Sequence, residues 1–156
     1  MKKKKPIGII LLAVFLGWGI LNTISRIFLR TDSADVTILN HYNITWIGYI
    51  LAFLLLILNI LSLYSVLTKK KWGVKMMYIF FALNVFFTFL IMIVSFLDFE
   101  VAKDAYSQSR INRGLSVDNI DKIMNPTITI IMTLGYGIFY SLLGLYVNKK
   151  KEYFSS

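Results

Sequence analysis

The chain has 156 residues, of which 57% are hydrophobic and 16% charged, with 17 Lys and Arg against 8 Asp and Glu for a formal net charge of +9. A soluble domain carries about 25% charged residues, so this composition, with a mean hydropathy of +0.67, excludes a disordered tail and argues against an ordinary soluble globule. The absence of cysteine and the single histidine, His41, exclude disulfides, thiol redox chemistry and a multi-histidine metal centre.

Lys2 to Lys5 precede a first apolar block, 7–29, which Arg26 interrupts late. Pro6 suits the first turn of a helix, where its missing N–H costs nothing. A cleaved signal peptide is the alternative for this segment. Ile7 to Ser25 is longer than the usual apolar core of such a peptide, and no A-x-A-like site follows. A short polar segment, 30–43, leads to the second block, 44–67, with Asn43 as its expected cap. Lys69, Lys70, Lys71 and Lys75 fill the turn before the third block, 74–97.

The second extramembrane segment, 99–125, is the larger one. The pattern predicts that the third helix runs on through Lys103 to Ile111 and breaks at Gly114. Ser116 would then cap a short helix over Val117 to Met124, with Val117, Ile120 and Ile123 on one face. Asn125 followed by Pro126 marks the start of the fourth block, 127–147, and Lys149 to Lys151 follow it. At 1.5 Å per residue, each block is long enough for a hydrocarbon core of about 30 Å. Lipid-exposed backbone must satisfy its own hydrogen bonds, so blocks of this length read as helices. The expected fold is all-α, a four-helix transmembrane bundle in one domain.

If every block spans, the lysine clusters all fall on one side. That side holds eleven Lys and only Glu152, a net +10; the other holds six Lys and Arg and seven acids, a net −1. The positive-inside rule then places both termini in the cytoplasm of a plasma-membrane protein. The sequence pI of 9.8 is a topology signal. The lysines flank spans and form no face with interleaved aromatics, so no nucleic-acid partner is expected.

Polar residues within spans are the informative ones. Gly8, Leu12, Phe15, Gly19, Asn22 and Arg26 share a stripe at helical spacing. Asn84, Thr88 and Ser95 share another, and Thr133, Gly137, Ser141 and Gly144 a third. Asn59 and Asn84 lie at similar depth and are expected to hydrogen-bond. Asn22, Asn59, Asn84, Thr88 and Tyr140 are the candidate polar contacts between helices, and Arg26 with Asp98 the candidate ion pair near the acidic side. Ala13-x-x-x-Gly17 and Gly137-x-x-x-Ser141 are expected close-packing pairs. His41 with Asp32 and Asp35 is too small a donor set for a metal site. Asn43-Ile44-Thr45 matches a glycosylation triplet but abuts the membrane.

No H-E-x-x-H, G-x-S-x-G or phosphate-binding glycine loop is present, and no acid lies deep in a span. Enzymatic activity and a cofactor are therefore not expected. Coupled transport uses acids near the midplane, which are missing here.

Two stretches carry a resemblance. Thr68 to Gly73 reads Thr-Lys-Lys-Lys-Trp-Gly, and Leu143 to Phe154 ends its apolar run in Asn-Lys-Lys-Lys-Glu-Tyr-Phe. The layout resembles small four-span prokaryotic membrane proteins of unassigned function. More loosely it resembles the four-span immunity or accessory proteins of peptide-export systems. The first resemblance implies the four-span plan and no activity. The leading expectation is a non-enzymatic accessory, regulatory or protective protein in the lipid bilayer. It would act through helix packing and the segment 99–125, on another membrane protein or as a homo-oligomer. The alternative is a small transporter or lipid-binding protein with a pocket near Asn59, Asn84 and Tyr140.

Overall fold

The computed structural model of the chain describes residues 6–28 and 34–154, the side chains at 26, 28 and 34–37 excepted. The elements among them are all helical: α1 (Ile7–Phe28), α2 (Ala34–His41), α3 (Thr45–Thr68), α4 (Trp72–Leu97), α5 (Phe99–Asn112), α6 (Ile120–Ile123), α7 (Pro126–Lys149) and a 3₁₀ turn, Lys151–Phe154. Four of them, α1, α3, α4 and α7, are long and apolar enough to cross a membrane.

Local chemistry explains the boundaries. Asp98 is extended (φ −147°), and its carboxylate accepts the Val101 N–H at 3.2 Å, so it ends α4 and caps α5. The expected continuous third helix is thus broken there. The α5 helix ends at Gly114 (φ 67°), where the Gly114 N–H donates to Ile111 and the Leu115 N–H to Arg110. This is the left-handed closure for which glycine is suited. Asn43 (φ 56°) plays the same part for α2, with the Ile44 N–H donating to Leu39. It therefore closes the preceding helix and does not cap the second span. Asn125 behaves as expected: its side chain accepts the Ile128 N–H at 3.0 Å, and Pro126 opens α7. Ser116 instead forms a tight turn, accepting the Asp118 N–H at 3.1 Å, and α6 begins only at Ile120.

The α2 helix is a further difference, since 30–43 reads as a polar segment. Ile38 and Leu39 are buried (3% and 1% exposed), which anchors it. It packs on α3, α4 and α5.

The long helices pack in the order α1 on α3, α3 on α4 and α4 on α7. The α1 and α7 helices meet through side chains. Phe15 lies 5.5 Å from Phe139 and 6.3 Å from Tyr140 between ring centres, and Tyr146 fills the space beside Gly8. The main core includes Leu12, Leu16, Leu58, Met77, Phe80 and Phe81. It lies toward the end that carries Lys69–Lys71 and Lys149, here the lysine end. A smaller cluster of Ile38, Val94, Ala102 and Ala105 binds α2 and α5 to the far end of α4.

Close approach occurs at glycines outside the expected pairs. A Cβ on Gly73 would collide with Ser65, and one on Gly19 would lie 2.6 Å from Asn59 Nδ2. Gly17 faces open space, and Gly137 has only an ordinary contact with Phe89 at 3.6 Å.

Candidate functional site

The polar residues of the long helices divide into separate contacts. The Tyr140 hydroxyl donates to Asn84 Oδ1 at 3.2 Å, bridging α7 and α4. Asn84 Nδ2 donates to the Phe80 carbonyl at 2.8 Å, and the Thr88 hydroxyl to the Asn84 carbonyl at 2.8 Å. Asn59 stands apart. It faces Gly19 of α1, is 1% exposed, and its Oδ1 has no partner. The expected Asn59–Asn84 hydrogen bond is not made, because the two asparagines serve different interfaces. Ser62 Oγ, one turn along α3, is likewise buried and unpartnered.

Asn22 is exposed, because the buried stripe of α1 runs through Ile9, Leu12 and Leu16 and rotates away from it. Asp98 is taken up by its capping role, and the Arg26 side chain of the expected pair lies outside the described residues, as does Asp32.

The expected pocket around Asn59, Asn84 and Tyr140 is replaced by packing. Phe81 and Tyr140 lie 6.0 Å apart between ring centres, and Phe80 and Phe81 fill the neighbouring core. A cavity of about 530 Å³ opens one turn farther from the lysine end. Thr88, Ile91 and Ser95 of α4 form one wall, and Ile128, Thr133 and Tyr136 of α7 the other. Ile38, Tyr106, Ile123 and Met124 close its far end. Met132 and Tyr136, which also line it, are 55% and 51% exposed and mark its open edge along α7. This size falls within the usual range for small-molecule pockets.

The roof is held by polar contacts. The Lys103 ammonium of α5 bonds the Asp121 carboxylate of α6 and lies 3.9 Å from Glu100. The hydrogen bond to Asp121 holds the Lys103 pKa above its ordinary value, against a partial loss of solvation. Arg110 Nε donates to the Ser116 carbonyl at 2.7 Å and Arg113 Nε to the Ser109 carbonyl at 2.9 Å, which fixes the loop between α5 and α6.

The lysine end is sealed. Phe154 is fully buried in the main core, and the Tyr153 hydroxyl reaches the Val66 carbonyl at 3.4 Å. Lys69 Nζ stands 5.3 Å from the centre of the Tyr153 ring, a cation–π contact. Burial raises the Tyr153 pKa.

Chemically, the cavity offers hydroxyls and apolar surface and, among the described residues, no charged side chain. Such a lining suits retention of a largely apolar molecule. Of its residues only Thr88 was singled out with the candidate contacts; Ser95 and Thr133 appeared in the helix stripes. Ile38, Tyr106, Ile123 and Met124 belong to a roof built by α2, α5 and α6, and the others are residues of α4 and α7 whose periodicity gives a face but not the space between two helices. Comparison with family models, with curated proteins and with solved structures gives no match, so the function is read from this geometry.

Proposed function

We propose that this chain is an integral protein of the plasma membrane, with both termini cytoplasmic, that performs no covalent chemistry. It holds one hydrocarbon-bearing molecule in the outer half of a four-helix bundle. The lysine distribution supports the orientation, because the lysine end carries the excess of cations. The exposed Ile131, Ile138, Leu142 and Leu145 of α7 then face lipid.

The observation that carries the binding reading is the cavity's position. It occupies the far half of the helix group, while the lysine half is packed and closed by Phe154. A pore needs a path open at both ends; a cavity packed off toward the lysine end and open along α7 favours capture and presentation over a continuous pathway. The exposed edge at Met132 and Tyr136 lies within a span, so the molecule enters from the bilayer.

The test is purification in native nanodiscs with mass spectrometry of retained molecules. A reproducible amphiphile is expected, lost when Thr133→Phe fills the cavity. Equal retention by both proteins refutes the reading.

A second reading, an accessory subunit acting by helix packing, has one observation in its favour. Gly135 lies on the exposed face of α7 with Ile131 and Leu142, and a Cβ there would meet nothing within 4 Å. That notch admits a helix of another membrane protein at close range. A stoichiometric protein partner whose binding Gly135→Leu abolishes would favour this reading.

A further inference from the structure

Building on the binding reading above, we infer that the molecule held in the cavity is an uncharged lipid with a hydrogen-bond-donating hydroxyl, such as a long-chain alcohol or an acylglycerol. Two observations lead to this class.

The first is charge. Among the described residues, no Lys, Arg, His, Asp or Glu lines the cavity. Of the nearby cations of the roof, Lys103 is paired with Asp121 and Glu100, Arg110 and Arg113 turn their Nε to the Ser116 and Ser109 carbonyls, and the exposed Lys122 of α6 lies outside the lining. A carboxylate or phosphate drawn into this space would lose its hydration and gain no counter-charge, which is strongly unfavourable.

The second is the direction of the hydroxyls. Thr88 donates to the Asn84 carbonyl at 2.8 Å, Ser95 to Ile91 at 2.7 Å and Thr129 to Asn125 at 3.0 Å, each within its own helix. A hydroxyl has one proton and two lone pairs. In all three the proton is used, so the oxygen turned to the cavity can only accept. Thr133, Tyr106 and Tyr136 also line the cavity and keep hydroxyl protons to donate, so a ligand hydroxyl, which both donates and accepts, meets both kinds of group. A neutral ester or a hydrocarbon leaves the three accepting oxygens without a partner.

The dimensions agree with a single chain. Ile128 and Tyr136 are eight residues apart on α7, about 12 Å along a helix. That is close to half of a hydrocarbon core of about 30 Å. A chain lying along α7 in the outer half would run from the roof to the level of Tyr136.

The test uses the full chain in phosphatidylcholine nanodiscs and three photoactivatable diazirine probes of equal chain length: a fatty alcohol, the fatty acid and its methyl ester. Labelled peptides are quantified by mass spectrometry. The alcohol is expected to label the Ile128–Tyr136 segment about threefold to tenfold more than the ester, as one hydrogen bond allows. It should exceed the ionised acid by at least as much. Combining Thr88→Val, Ser95→Ala and Thr129→Val should bring alcohol labelling down to the ester's level and leave ester labelling unchanged, which also reports that the variant is folded. Equal labelling by alcohol and ester, or stronger labelling by the acid, overturns the ligand class while the cavity reading stands. Failure of all three probes to label this segment overturns the cavity reading itself.

Discussion

Gly19→Ala tests the packing of α1 against α3 directly. The new Cβ would lie 2.6 Å from Asn59 Nδ2, and Asn59 is 1% exposed, so the amide has no open solvent to move into. Ordinary contact needs roughly 0.8 Å more than this, which a turn of the Asn59 amide within the interface and a slight separation of the two helices must supply together. Overpacking of this kind costs about 1–3 kcal/mol. The helix preference of Ala over Gly returns about 0.5–1 kcal/mol. The net expectation is a loss centred on about 1 kcal/mol and reaching at most about 2.5 kcal/mol, read as a shift in the SDS-induced unfolding midpoint in mixed micelles. Gly17→Ala is the internal control. It sits two residues away on the same helix, meets nothing within 4 Å, and should be neutral or slightly stabilising. Asn59→Ala in the Gly19→Ala background should recover most of the loss, so the double-mutant cycle is non-additive by about 1 kcal/mol or more. Additive effects, or a Gly19→Ala protein as stable as Gly17→Ala, would refute this account of the interface.

Tyr140→Phe removes the hydroxyl that bridges α7 to Asn84. Interhelical hydrogen bonds in membranes average about 0.6 kcal/mol, so the unfolding midpoint should move only slightly; a loss above about 2 kcal/mol would reveal a larger polar network. Asp121→Asn breaks the tie between α5 and α6, and hydrogen exchange at Ile120–Met124 should speed up while the lysine half of α7 is unchanged. The Lys103 pKa is raised in the folded chain, so its contribution is complete below the ordinary lysine value of 10.5 and is lost as pH rises through the folded value. Loosening of the roof near neutral pH would contradict the ion pair. Phe154→Ala empties a fully buried site at the lysine end and should cost about 3–5 kcal/mol, whereas removal of an exposed tail would leave the unfolding midpoint unchanged.

The spans were legible because each is a single physical statement: a long apolar run bounded by lysines, Asn125-Pro126 or polar loops. The break at Gly114 and the cap at Asn125 were legible for the same local reason. Asp98 misled because a carboxylate after an apolar run is compatible with continuation as well as capping, and only its extended backbone separates the two. Asn43 misled because asparagine serves either end of a helix. The α2 helix was hidden by its polar composition. It rests on two residues: Ile38, whose partners Val94, Ala102 and Ala105 come from α4 and α5 far away in sequence, and Leu39, which packs beside Gly48 of α3. The polar residues were found, but their partners were not. Asn84 and Tyr140 are 56 residues apart, and Asn59 faces α1 where depth alone pointed to α4. Periodicity gives a face, and pairing depends on which helix lies opposite it.

The buried Phe154 also bears on how the protein is made. It enters a core built from α1, α3, α4 and α7, yet it is translated after all of them. All four long helices thus precede Phe154 in the chain, and the lysine end stays unplugged until the aromatic pair docks. A nascent chain stalled before Tyr153 would leave apolar surface open at the lysine end, a mark by which quality-control proteases could distinguish it from a chain with Phe154 docked.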